Sequence, residues 1–209
     1  EQIVAKTNAL NPDLIALTGD MSDGTLAVRY NDVEPLARLH AADGVYAITG
    51  NHEYYFDYNE WIPAWQKLGI PFLMNSHVRI SKDNESLVLA GVTDKTGKNF
   101  GFEAPDIARA LEGTTPGDTV ILLDHRPDTA VKNAEYGVKL QLSGPTHGGM
   151  VRGRAQAVKL ANGGFVSGRY QVGNMTLYVS NGAGLWSGFP LRLGRPSEIT
   201  QFILHADKP

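Results

Sequence analysis

The stretch GVYAITGNHE (44–53) runs as an apolar strand into a glycine that is followed by asparagine, histidine and glutamate. The same design occurs earlier, where DLIALTGDMSD (13–23) leads from an apolar run into Gly-Asp and a second aspartate. Glycine lets the backbone turn sharply at such a point and leaves room for a ligand beside it. These two strand ends therefore predict loops that bind a ligand.

Further apolar runs alternate with segments of helical pattern. The predicted strands are 13–18, 44–49, 86–92, 119–123 and 138–142. The predicted helices are 1–10, 32–41, 61–68, 105–113 and 127–134, and in the third of these Trp61, Trp65 and Leu68 recur at the spacing of one helix face. Beyond residue 148 the pattern changes to antiparallel strands, with a hairpin turn at Gly173-Asn174 and a last strand over 198–206. This order predicts a single mixed α/β domain over 1–209, layered with helices outside.

Four of the predicted strands end in side chains that can bind a metal ion. These side chains are Asp20, Asn51, His125 and His147. Parallel strands bring their carboxyl ends to one edge of a sheet, where ligands of open α/β sheets bind. We therefore expect the four to converge although they are far apart in sequence.

The residue types favour a hard or borderline divalent cation. Aspartate, asparagine and histidine offer oxygen and nitrogen donors, and the chain has no cysteine, so Mn²⁺, Fe or Zn²⁺ fits better than a soft metal. Taken singly, an aspartate after glycine is most often a turn residue, and a lone histidine is more often an ordinary polar residue. The recurrence at four strand ends is what favours a metal site.

Net charge, hydropathy and the absence of nucleotide-binding motifs limit the classes of function that the sequence favours. The formal net charge of −3 implies no general affinity for nucleic acid or for an acidic membrane surface. No apolar run approaches the length of a membrane span, and no G-x-G-x-x-G or Walker loop follows a strand. The sequence therefore gives the least support to the hypothesis of a doubly wound nucleotide-binding protein.

The strand ends resemble the conserved blocks of a known family. The blocks are GDMSD (19–23), GNHE (50–53), LLDHRPD (122–128) and SGPTHGG (143–149). In order and spacing they are similar to those of the calcineurin-like metallophosphoesterases, specifically a bacterial branch often found on or near the membrane. The tail after residue 179 also resembles that branch, so the likeness covers essentially the whole chain.

The resemblance implies a two-sheet β-sandwich flanked by helices that binds two divalent metal ions. Asp20 would bridge both ions, Asn51 and His125 would bind the second ion, and His147 would bind the first. His52 would face the substrate and assist the leaving group. Asp23 and Glu53 would support these groups from behind.

The chain departs from the family pattern at two places. No Asp-x-His block occurs in the 209 residues. The opening strand that carries this block would lie upstream of residue 1, which predicts an N-terminally truncated domain of a longer product. Pro145 stands where the family has the first histidine of its last block, and a proline side chain offers no donor to a metal. We therefore expect this chain to bind one metal ion or none and to have impaired activity.

The resemblance implies a phosphohydrolase that uses metal-activated water to cleave a phosphodiester or pyrophosphate bond. A small phosphorylated substrate is expected. By analogy, the branch suggests lipid-linked or nucleotide-sugar compounds as the kinds of substrate. The alternative is a binding module that retains the scaffold while its metal site has decayed. Self-association through an exposed sheet edge is expected from the missing strand. The resemblance allows membrane association or export of the full-length protein, whose location the sequence leaves open.

Overall fold

The computed structural model describes residues 1–82, 85–144, 163–184 and 196–205, so Pro145 and His147 lie outside the described residues. The helices are α1 (Gln2–Ala9), α2 (Leu26–Val33), α3 (His52–Tyr55), α4 (Tyr58–Lys67), α5 (Ile107–Ala110) and α6 (Ala130–Ala134). The strands are β1 (Ile15–Leu17), β2 (Val45–Ala47), β3 (Ser76–Lys82), β4 (Glu85–Gly91), β5 (Thr119–Leu123), β6 (Leu140–Ser143), β7 (Gly168–Val172) and β8 (Met175–Val179). Short 3-10 helices cover Glu34–Arg38, Lys95–Phe100 and Pro127–Thr129.

The strands of these ranges form two sheets. The smaller sheet pairs β1 with β2 in parallel, and Phe72 extends it by a single bridge to Ala47. The larger sheet has the order β3-β4-β5-β6-β8-β7, in which β4, β5, β6 and β8 are parallel and the two edge strands are antiparallel. All parallel strands of each sheet therefore end at a common edge.

Side-chain alternation along the strands builds a layered core. In β5, Ile121 and Leu123 point to a cluster between the two sheets that also contains Ile48 of the smaller sheet. The intervening Leu122 belongs to a second cluster, which joins the other face of the larger sheet to α5 and α6. A third cluster covers the outer face of the smaller sheet with Trp61 and the rest of α4. This arrangement confirms the predicted two-sheet sandwich flanked by helices.

The strand predictions agree with the structure up to β6, with small shifts at the ends, and the hairpin at Gly173-Asn174 is confirmed. Strand β3 was missed because its sequence, SHVRISK, is largely polar, as suits a half-exposed edge strand. The strand predicted over 198–206 is wrong across its described part, since residues 198–205 pair with no strand there. Its Glu198 instead bonds to Asn181 and Tyr178.

The helix predictions hold for position but not for every boundary. Helix α4 has the predicted face, with Trp61 and Trp65 fully buried, and the Asp57 side chain caps its first turn. The helix predicted over 32–41 is instead α2 followed by a 3-10 turn that contains Pro35. Proline has no N–H to continue the α-helical hydrogen bonds, so the helix changes type there.

The two sheets lie in close contact where Gly91 ends β4. A Cβ atom there would lie 2.6 Å from Ile48 Cγ2 and 2.8 Å from the Leu73 carbonyl oxygen. The polar ends of the strands follow within a few residues of this contact, so the packing here sets the spacing of the two halves of the site.

We expect Gly91→Ala to lower the free energy of unfolding by about 1–3 kcal/mol, because the added methyl group overpacks the space between the sheets. Gly117→Ala is the matched control, since a Cβ there meets nothing closer than 4.0 Å. Urea denaturation of both variants measures the difference. Equal stability of the two would show that the sheets do not meet at Gly91.

Candidate active site

The loops after β1 and β2 lie against each other with no room for side chains between them. A Cβ atom on Gly19 would lie 2.4 Å from the Gly50 nitrogen, and one on Gly50 would lie 2.2 Å from Asp20 Oδ1. Gly19 and Asp20 both have positive φ, at 88° and 55°. Glycine adopts this left-handed backbone freely, and aspartate tolerates it better than most residues. The two glycines thus allow the Asp20 carboxylate to reach the neighbouring loop.

Glu53 connects these two loops through its buried carboxylate. One oxygen accepts hydrogen bonds from the backbone N–H groups of Gly50 at 2.7 Å and Asp20 at 3.0 Å, and the other accepts from Met21 at 2.8 Å. Burial and the nearby charge of Asp20 raise the Glu53 pKa to about 7, although the three N–H donors oppose the shift. Glu53 therefore holds the two loops together, and its supporting role behind a metal site stays a prediction.

Asp20 lies at the centre of the polar cluster. Its Oδ1 accepts a hydrogen bond from the backbone N–H of His52 at 2.9 Å, and its Oδ2 lies 3.3 Å from His125 Nε2. These contacts join the end of β1 to the residues that follow β2 and β5, so one carboxylate connects both sheets.

The imidazole of His125 is oriented by its other nitrogen. Nδ1 lies 2.7 Å from the Thr18 carbonyl oxygen, which requires Nδ1 to carry the proton and directs Nε2 toward Asp20. Burial opposes protonation of this ring, but the charge and hydrogen bond of Asp20 outweigh it and raise the His125 pKa to about 10. A backbone carbonyl that holds the second nitrogen is the usual arrangement around a histidine that binds a metal.

His52 begins helix α3 beside this cluster. Its Nδ1 lies 3.2 Å from Asp23 Oδ1, so the carboxylate orients the ring. The ring centroids of Tyr55 and Phe56 lie 5.9 and 5.7 Å away, and these aromatic rings border the histidine on the helix side. Asp23 thus orients the ring of His52, and its supporting role behind a metal site stays a prediction.

An arginine and an aspartate that sequence reasoning missed complete the described site. Arg126, next to His125, places Nη2 3.4 Å from Asn51 Oδ1 and donates from Nε to Asp94 Oδ2 at 2.7 Å. A signal was available, because Asp94 follows the predicted strand 86–92 just as the other site residues follow theirs.

The structure brings together six of the seven predicted site residues. These are Asp20, Asp23, Asn51, His52, Glu53 and His125. His147 lies outside the described residues. Within the described ranges no three His, Asp or Glu side chains are close enough to hold a metal ion, so the ligand roles stay predictions.

The donors present fit part of a divalent metal centre. Asp20 supplies a carboxylate, Asn51 an amide oxygen and His125 an imidazole nitrogen whose tautomer is already fixed. Asp20 Oδ2 and His125 Nε2 both bear lone pairs when the imidazole is neutral, and their 3.3 Å contact is favourable only with a proton or a cation at hand.

A cavity of about 550 Å³ lies elsewhere, on the side of the larger sheet that faces α5 and α6. Asp124 reaches it from β5 and bonds to Thr129 Oγ1 at 2.5 Å and Asn133 Nδ2 at 2.9 Å. Burial raises the Asp124 pKa to about 6. The side chains of Asp124 and His125 therefore belong to different clusters, and only His125 contacts Asp20.

The fold and this cluster agree with the class of the calcineurin-like phosphoesterases, and sequence comparison shows the family directly. The family model described as "Calcineurin-like phosphoesterase" matches residues 1–149, and the chain belongs to that family. The predicted resemblance is thereby confirmed. No solved structure matches the chain significantly.

Curated relatives carry the same class name. A bovine protein named "Transmembrane protein with metallophosphoesterase domain" is 38% identical over 99% of this chain and 49% of its own length. An uncharacterized metallophosphoesterase of Campylobacter jejuni is 35% identical over 100% of this chain and 54% of its own length. YkuE of Bacillus subtilis, also an uncharacterized metallophosphoesterase, is 32% identical over 97% of this chain and 71% of its own length.

The chain spans about half the length of the first of these relatives. The described part of the chain has no helix with the length and apolar character that a membrane crossing requires. The bovine and zebrafish relatives are named transmembrane proteins.

We expect Glu53→Gln to cost about 1–3 kcal/mol of stability, because the glutamine N–H₂ would face at least one backbone N–H and leave it without an acceptor. Glu60→Gln is the matched control, since Glu60 is exposed on α4. Chemical denaturation at pH 8 compares them. A Glu53→Gln protein as stable as the control would contradict the role of this carboxylate in joining the loops.

Proposed function

We propose that this site hydrolyses phosphodiester or pyrophosphate bonds in a reaction that depends on divalent metal ions. Asp20 would contact both ions, Asn51 and His125 would hold one of them, and His147 would contribute to the other. When bound, the ions would supply positive charge to the phosphoryl oxygens and lower the pKa of a water molecule. Mn²⁺, Fe and Zn²⁺ all suit this set of donors.

His52 would act on the leaving group. Asp23 Oδ1 lies 3.2 Å from Nδ1, which fixes the ring plane. A protonated imidazole at the edge of the site can donate a proton to the departing oxygen, a contribution of about 10²–10⁴ in rate. The side chain is 8% exposed, so solvent competes little for this proton.

One observation carries the proposal: the contact of Asp20 Oδ2 with His125 Nε2 at 3.3 Å, with the imidazole held from behind by the Thr18 carbonyl at 2.7 Å. When the imidazole is neutral, Nε2 presents a directed lone pair beside a carboxylate, and this is the combination that binds a cation.

Removing the proposed central ligand or the proposed acid should abolish turnover. For Asp20→Asn and His52→Ala we expect kcat/KM for bis(p-nitrophenyl) phosphate to fall by about 10²-fold or more in the presence of Mn²⁺. His40→Ala is the matched control, because His40 is exposed and remote from the cluster in sequence and contacts. EDTA should remove the activity, and Mn²⁺ should restore it.

The binding-module alternative predicts a different set of results. Pro145, in place of the family's histidine, is the observation that favours it. Under that alternative the wild-type protein hydrolyses nothing, His52→Ala changes nothing, and elemental analysis finds less than one equivalent of metal. A gain of activity in Pro145→His would instead show an enzyme weakened by the loss of one donor.

The rim of the site favours a substrate with a planar or apolar group next to the phosphorus. Tyr55 is 53% and Phe100 49% exposed, and their ring centroids lie 6.0 Å apart, beside His52. Exposed aromatic rings next to a reaction centre can stack on a base or cover a hydrocarbon chain. Nucleotide-sugar and lipid-linked substrates both carry such a group, so both remain within the proposal.

For Tyr55→Ala we expect a rise of about three- to tenfold in KM for bis(p-nitrophenyl) phosphate with little change in KM for dimethyl phosphate, because only the aryl ester can stack on the ring. Tyr136→Ala is the control, since this tyrosine is also exposed but lines the separate cavity beside α6. An equal effect of Tyr55→Ala on both esters would show that the rim does not select the leaving group.

A further inference from the structure

Arg126 carries a positive charge into the candidate active site from the residue after His125. Its Nη2 lies 3.4 Å from Asn51 Oδ1 and 3.0 Å from Thr96 Oγ1. Its Nε donates to Asp94 Oδ2 at 2.7 Å, and Nη2 lies 3.4 Å from Asp94 Oδ1. The guanidinium is therefore fixed on one side while its side chain keeps 28% exposure.

The group that fixes Arg126 is itself built into the loops of the site. The Asp94 carboxylate is fully buried, and Oδ1 accepts from the Thr96 N–H at 2.8 Å. The backbone N–H of Asp94 donates to Thr49 Oγ1 at 3.0 Å, and Thr49 immediately precedes the Gly-Asn-His-Glu loop. The position of the guanidinium is thus coupled to the position of Asn51.

We propose that Arg126 binds a non-bridging oxygen of the substrate's phosphoryl group, and that Asp94 is the residue that positions it. This inference rests on the proposed function of the same site. A planar guanidinium with fixed donors matches a phosphate better than an ammonium does. Nη1 of Arg126 makes no hydrogen bond within the described part of the chain, so it is available to a ligand.

The competing explanation is a structural ion pair that only joins two loops. Burying a paired charge contributes little net stability, because desolvation offsets the attraction. An apolar pair would serve that purpose equally well. A structural pair also gives no reason for the guanidinium to reach Asn51, a predicted ligand, while remaining partly exposed. Binding of an anion distinguishes the two explanations, since only the proposed role requires it.

The test compares Arg126→Lys with the wild type and with Arg79→Lys. Arg79 forms a similar two-nitrogen pair with Asp118 at the start of β5, at the opposite end of the sheet. Lysine keeps the charge but loses the planar fork. Inorganic phosphate binding is measured by calorimetry, with and without Mn²⁺, and hydrolysis of bis(p-nitrophenyl) phosphate is measured in parallel.

For Arg126→Lys we expect the Kd for phosphate and the KM to rise about tenfold, with kcat within threefold and thermal stability close to that of the wild type. Arg79→Lys should change none of these. The double variant Asp94→Asn/Arg126→Met removes the buried charge together with its partner, and it should lose phosphate binding while it remains folded.

Phosphate affinity in Arg126→Lys and in the double variant equal to that of the wild type overturns the inference, and so does a wild-type protein that binds no phosphate. Hydrolysis by the wild type with no effect of Arg126→Lys on KM removes the role of Arg126 and leaves the proposed function intact. Phosphate binding that depends on Arg126 without any hydrolysis supports this inference and refutes the proposed function.

Discussion

The carboxylate of Glu53 is the constraint on which the rest of the site depends. It accepts hydrogen bonds from the backbone of both loops that follow the smaller sheet, at Gly50 on one side and at Asp20 and Met21 on the other. A fully buried charge of this kind is tolerated only when its oxygens are satisfied. Separation of the loops would leave the buried Glu53 carboxylate without its hydrogen-bond donors. The free-energy cost of that loss holds Asp20 in its left-handed conformation.

The same arrangement creates an electrostatic conflict. Asp20 lies close enough to Glu53 for its charge to help raise the Glu53 pKa to about 7, and Gly19 and Gly50 allow this close contact because they place no side chain between the loops. Positive charge at His125 Nε2 relieves this repulsion, because the ring faces Asp20 Oδ2 at 3.3 Å. Asp20 and Glu53 are thus neighbouring acids that need a cation for charge balance, and this is an arrangement that suits the proposed binding of a metal ion.

The sequence predicted the fold and most of the site because both follow from strand ends. Apolar runs locate the parallel strands, and the polar residue after each run locates the loops, so Asp20, Asn51 and His125 could be grouped before any contact was known. The predictions failed for edge strand β3 and for the segment 198–205, because the structure of both depends on the elements beside them. Sequence periodicity does not report those neighbouring elements.

Arg126 and its partner Asp94 were missed for another reason. An arginine beside a histidine carries no periodic signal, and its importance becomes visible only when Asp94, from the neighbouring parallel strand, is placed against it. Asp94 follows the apolar run 86–92 as the other site residues follow theirs, so the strand-end pattern also predicts a polar residue at this position. The Asp94–Arg126 contact depends on the pairing of β4 with β5, which spacing alone does not specify.

The site takes its two halves from two different sheets. Asp20 and Asn51 come from the ends of β1 and β2, whereas Asp94 and the pair His125-Arg126 come from the ends of β4 and β5. Their relative position is fixed by the core between the sheets, where Ile48, Gly91 and Leu123 pack without a gap. Because closely packed interiors transmit small displacements, a change in that core alters the distance between Asp20 and His125. The geometry of the polar cluster is therefore a property of the sandwich as a whole, and not of any single loop.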